Sequence, residues 1–274
     1  MIFEYNKKFK KDKYKNINRR FEVELTDYIK KEFHMLNLQT MKIQLELSNY
    51  LIRAIEGKAI PEENRIILDY SKFSHVIGLK RRNKIWNETI LKNNEYVYST
   101  LHHELQHLRN NLELKHLFDK IQNSNTCTFI KTAIIKFIDE FIATFESRKR
   151  YNVDMGSREE AIKLLQDIIE NKNNYQSDEI MFAFFLLVDT VSYAIAESIC
   201  YPVAALDIKF DEITSKISNR WFYEVKNLLK EYPDINFINH IDLLINMLTE
   251  FAEKANVDIQ YWHQFDKDCL EYNI

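Results

Sequence analysis

His103-Glu104-Leu105-Gln106-His107 sets two imidazoles four residues apart with a carboxylate between them. On a helix, residues at that spacing stand on one face, one turn above each other. Two imidazoles so placed can converge on one metal ion, at about 2.0–2.1 Å when the ion is zinc. The glutamate then lies beside the open coordination position, where it can take a proton from water. The motif therefore predicts a zinc-dependent hydrolase acting on peptide bonds, with His103 and His107 as ligands and Glu104 as general base.

The surrounding pattern supplies the helix. Leu101, Leu105, Leu108 and Leu112 recur at helical spacing, and no Gly or Pro interrupts the run from Glu95 to Glu113. Asn93-Asn94 reads as the N-cap, with Glu95 near the positive end of the helix. A catalytic zinc needs a third protein ligand. A second long helix is predicted over Phe129–Arg150, where Asp139 and Glu140 interrupt an almost wholly apolar run. The same-face neighbours of Glu140 include Ala133, Ala143, Thr144 and Ser147, small enough to admit another helix closely. A carboxylate in such surroundings needs a cation. Zinc would serve, making Glu140 the third ligand; an ion pair with Lys136, one turn earlier, is the structural alternative.

Taken together, His103, Glu104 and His107 followed by Glu140-Phe141-Ile142-Ala143 resemble the gluzincin branch of the zincin metallopeptidases. The form Glu-x-x-Ala-x-Phe, Glu140 to Phe145, is loosely similar to ImmA/IrrE-type peptidases, without their Leu-Leu-Met-Pro-like continuation. The resemblance implies one Zn²⁺ per chain held by His103, His107 and Glu140, with Glu104 as the base. It also implies an edge strand above the active-site helix, able to pair with an extended peptide. The predicted strand Arg65–Tyr70 would fill that place.

Other groups compete for roles. A metzincin-type ligand set would require a bend at Asn110 and a ligand at Glu113; His116 and Glu146 are weaker ligand candidates. His102 is rotated about 100° from His103 on the helix and reads as a supporting or surface group. His75, Tyr151 and Tyr193 are candidates to steady the tetrahedral oxyanion. Asp189, Tyr193 and Glu197 form a polar ribbon along the apolar stretch Ile180–Leu206, and Asp189 could orient a ligating histidine. Buried acids paired with Lys or Arg are the alternative reading of that ribbon.

Composition bounds the fold. The chain has 274 residues, enough for a sizeable core, and only three Gly and three Pro, which favours long helices. Fold class is expected to be mainly α with a small β-sheet (α+β), a zincin-like helix and strand leading to a helical C-terminal part. The expected divisions are 1–57, basic arm and helices; 58–155, catalytic core; and 156–274, helical subdomain. Helices are predicted over Phe21–Phe33, Thr40–Glu56 (ending at Gly57 as C-cap), Arg158–Asn171, Glu179–Cys200, Asp211–Glu231 and Ile235–Asn256.

Three scattered cysteines without CxxC, and an N-terminus without an apolar run, point to a cytoplasmic protein with reduced thiols. The net charge of −3 gives no global bias towards nucleic acid, and the lysines between Lys7 and Lys15 read as a solvated arm. Asp189 and Glu197 within the long apolar stretch argue for a core helix, so no membrane partner is expected. The expected partner is a peptide or protein substrate. Two other readings stay open. One is a catalytically inactive helical regulatory or interaction protein of phage or mobile-element origin; the other is a nucleic-acid-associated protein using the basic arm.

Overall fold

The structure is a computed structural model, and it describes residues 1–5, 15–48, 57–69, 88–151, 167, 170–171, 174, 176–200, 220–254 and 257. It is mainly helical with a small mixed sheet. The chain divides into two compact units, Met1–Leu114 with Ile142–Met155, and Lys115–Phe141 with Gly156–Ile274.

The first unit is built on four strands. These are β1 (Ile2–Tyr5), β2 (Gln44–Ser48), β3 (Gly57–Ile60) and β4 (Arg65–Asp69), in sheet order β1-β2-β4-β3. β1, β2 and β4 run parallel; β3 closes one edge antiparallel to β4. Helix α1 (Lys15–Met35) makes the crossover from β1 to β2, which parallel neighbours require. It stops where Asn37 takes the left-handed conformation at φ 56° and Leu38 N–H returns to Phe33 C=O at 2.8 Å.

One face of the sheet carries Leu45, Leu47, Ile66 and Leu68. They share a core with Leu25 and Ile29 of α1 and with Val97, Leu101, Leu105 and Leu108 of α2 (Glu88–Glu113). Each such aliphatic side chain contributes roughly 1.5–3 kcal/mol on leaving water, and together they seat the HExxH helix on the sheet.

Four expectations are corrected here. The helix predicted over Thr40–Glu56 is strand β2 where the chain is described: Ile43, Leu45 and Leu47 alternate with Gln44, Glu46 and Ser48, the two-residue period of a strand. Gly57, predicted as a helix cap, is the first residue of β3. The strand at Arg65 is interior, flanked by β2 and β3; among the described strands β1 and β3 are the outer ones, and β3 is the one that meets the HExxH helix at Glu104. Its run Ile66-Ile67-Leu68, apolar on both faces and buried, marks an inner strand. Lastly, α2 starts at Glu88, seven residues earlier than expected, and Asn93-Asn94 lie inside it. The reversal between β3 and β4 is a short 3₁₀ turn at Pro61–Glu63, closed by Asn64 at φ 49° and ψ 42°.

The second unit is helical among its described residues. It contains α3 (Lys115–Gln122), the first part of α4 (Thr128–Arg150), α5 (Ser177–Cys200), α6 (Arg220–Leu229) and α7 (Ile241–Lys254). Phe129 packs on Phe184 and Phe185 with ring centroids 4.8 and 5.5 Å apart, tying α4 to α5. Val225 and Leu229 of α6 and Leu244, Met247, Leu248 and Phe251 of α7 are buried as well. The helix predicted from Ile235 begins instead as a 3₁₀ turn, Phe237–His240, capped by the Asn236 side chain. Helix α5 is long and apolar enough to cross a membrane, but Phe184, Leu187, Val188, Ile195 and the acid Glu197 are all buried within the protein.

The predicted helix over 158–171 and the first part of that over 211–231 fall mostly outside the described residues. So do the arm lysines Lys7 to Lys13.

Candidate metal centre

Two helices carry the functional side chains. On α2 the leucines at 101, 105 and 108 take the sheet-facing side and leave His103 and His107 on another face. Both histidines are buried, with ring centroids 4.7 Å apart and Nε2 atoms 3.0 Å apart. On α4, Glu140 follows an apolar turn containing Phe137 and precedes Ala143 and Thr144, all fully buried. One ligand atom from each of His103, His107 and Glu140 lies within 4.8 Å of the other two.

Donors around a tetrahedral zinc stand about 3.3 Å apart, a separation that follows from bonds of about 2.0–2.1 Å. The histidine nitrogens, 3.0 Å apart, stand a few tenths of an ångström inside that distance. Two imidazole nitrogens and one carboxylate oxygen form the His₂Glu set typical of hydrolytic zinc sites. The group could hold a metal ion.

Glu104, also buried, lies on α2 between the two histidines, directly under the edge strand. Its side-chain atoms leave no room for a side chain at Gly57 of β3. Sequence reading missed Gly57. The available signal was a glycine, one of three in the chain, two residues before Ala59 in a short alternating stretch.

Around Glu140 the charges are arranged by α4 and α5. Lys136 Nζ is 3.6 Å from Glu140 Oε1 and 3.1 Å from Asp189 Oδ1. Burial alone would depress the Lys136 pKa, but the carboxylates of Asp189 and Glu140 outweigh it and hold the ammonium above the ordinary lysine value. Asp189 is thus placed on Lys136, and reaches Glu140 through it. The sequence had offered Lys136 as the structural partner of Glu140, and that ion pair is present.

The other singled-out residues fall elsewhere. His102 Nδ1 donates to Glu32 Oε2 at 2.6 Å. The second oxygen of Glu32 accepts from Arg150 Nη2 at 2.8 Å and from the Tyr151 hydroxyl at 3.1 Å. Tyr151 also hydrogen-bonds Tyr28, whose ring stacks on Tyr98. Burial opposes ionisation of Glu32, yet the hydrogen bond and charge of His102, with Arg150 behind it, hold its carboxyl below the usual value. This network joins α1, α2 and the end of α4, and the Tyr151 hydroxyl is committed to it.

Tyr193 is half-buried on α5, one turn after Asp189. The metzincin alternative loses its bend, because α2 runs unbroken through Asn110 to Glu113, which pairs with Arg109 at 2.9 Å. His116 is exposed on α3 and Glu146 is half-buried on α4. Neither joins the His103, His107 and Glu140 group among the described residues. His75 lies outside the described residues. In comparisons with family models, curated proteins and solved structures, the chain matches none of them.

Proposed function

We propose that this protein is a zinc-dependent metallopeptidase that cleaves peptide bonds with Glu104 as general base. The observation that carries the reading is the convergence of His103, His107 and Glu140 within 4.8 Å from two separate helices. These three residues would hold the ion, one per chain. When bound, Zn²⁺ lowers the pKa of a coordinated water towards about 7 and polarises a carbonyl.

The remaining work falls to the protein's own groups. Glu104 takes the proton of the attacking water as its oxygen bonds to the scissile carbon. It then returns that proton to the leaving nitrogen as the carbon–nitrogen bond breaks, so the base is regenerated. β3, the outer strand above Glu104 among the described residues, is where an extended peptide could be laid.

One observation favours a second reading. Lys136 already compensates the Glu140 carboxylate, as a purely structural acid would require. On that reading the chain is a helical regulatory or interaction protein without catalysis. Elemental analysis of the purified protein separates the two: the enzyme retains about one zinc per chain, the structural protein none. Glu140→Ala should weaken zinc retention by more than the ~10–100-fold typical of losing an outer hydrogen-bond partner. Glu104→Gln should keep the zinc and abolish peptide hydrolysis, and hydrolysis surviving that change would remove Glu104 as the base.

A further inference from the structure

The edge strand and the HExxH glutamate fit each other at a single residue. β3 pairs with β4 so that Gly57 stands opposite Leu68, and Ala59 opposite Ile66. Cross-strand partners share a face of the sheet. Leu68 and Ile66 belong to the core that also holds Leu101 and Leu105 of α2, and Ala59 packs against it. Positions 57 and 59 therefore face inward, towards α2, and carry the two smallest residue types.

At position 57 the space is already taken. A β-carbon there would stand 2.8 Å from Cγ, 3.1 Å from Oε1 and 3.2 Å from Cδ of Glu104. The first of these is shorter than real β-carbons tolerate. Gly57 does not lie in the left-handed region, so close approach of the backbone, and not its conformation, requires glycine. Glu104 is itself buried, only 7% exposed.

We infer that Gly57 is a positioning residue: its missing side chain forms the slot that holds the Glu104 side chain, and so fixes the general base against the strand on which a peptide is laid. The inference rests on the reading of Glu104 as base. It adds that the backbone of β3 sets where that base stands. A methyl group at position 57 meets Glu104 first, since the three nearest atoms all belong to that side chain. Displacements near 1 Å can cost a site ~10²-fold in rate.

The test uses the full chain with Gly57→Ala, made in the wild type and again in a Glu104→Ala background. In the wild-type background the zinc content should be unchanged and KM should stay within about twofold. Over the same comparison kcat should fall at least about tenfold, the signature of a misplaced base. The melting temperature should also drop, by about 2 °C or more. On Glu104→Ala, where Cγ and the carboxylate are gone, the same change should leave the melting temperature level or raise it. Equal melting shifts in the two backgrounds, or an undiminished kcat in the single variant, would overturn the inference. The melting comparison needs no turnover. If wild-type protein cleaves no peptide, the metallopeptidase reading falls by itself, and the slot is judged by the two melting shifts.

Discussion

Glu32→Gln probes how α2 is held in place, because Glu32 joins the helix to α1 and to the end of α4. The carboxylate is 1% exposed and accepts from His102 at 2.6 Å, Arg150 at 2.8 Å and Tyr151 at 3.1 Å. Glutamine keeps the volume and one acceptor oxygen but loses the charge and the second acceptor. Hydrogen bonds to a charged group contribute roughly 1.5–3 kcal/mol each. The Arg150 side chain is 36% exposed and can recover water, so its share is small. The His102 side chain is 5% exposed and cannot.

The expected loss is therefore about 2 kcal/mol, dominated by the bond to His102. At about 2–4 °C per kcal/mol for a protein of this size, the melting temperature should fall by about 4–8 °C near neutral pH. The pH dependence has a definite sign. The Glu32 carboxyl is held below its ordinary value of 4.5, so its stabilisation is complete above that pH and fades as pH falls through the lowered value. Melting curves followed by circular dichroism from pH 7 to pH 3 should therefore show wild type and variant drawing together below pH 4.5. A gap under 1 °C at pH 7, or one that widens on acidification, would refute the reasoning.

Lys136→Met leaves Glu140 and Asp189 without their shared cation. The variant should melt below wild type without metal, and the deficit should shrink when zinc is added, as scanning calorimetry with and without zinc would show. Phe129→Ala removes a fully buried ring that touches Phe184 and Phe185, and should cost about 3–5 kcal/mol in a urea titration with little change in slope.

The candidate site was more legible in the sequence than the sheet beneath it. An i, i+4 histidine pair is a local property of one helix, and the isolated acids at 139 and 140 stand out in an apolar run. Both signals survive without knowledge of tertiary structure, and His103, His107 and Glu140 do come together. Strand β2 is hard to read because the scarcity of Gly and Pro favours helices, while its alternation, Ile43 to Ser48, spans only six residues. The position of β4 inside the sheet depends on pairing with β2, 21 residues earlier in register, which no local pattern encodes.

Likewise, the partners of Glu32 and the second partner of Lys136, Asp189, lie on other elements, and charge type alone cannot select them. The family resemblance anticipated an edge strand over the helix but assigned it to the wrong segment. Pro61 and Asn64 mark the turn that puts β3 outside β4.

Helix α2 continues straight past Asn110, so the sequence immediately after His107 cannot swing back to complete a coordination shell. An excised peptide spanning only this helix could offer two nitrogens and no more. The carboxylate arrives from a segment 33 positions beyond His107, and only once the chain has folded. On the proposed metal-binding reading, ion capture and tertiary assembly would be coupled: a chelator would lower the stability of the fold, and ion occupancy would track how much protein is native.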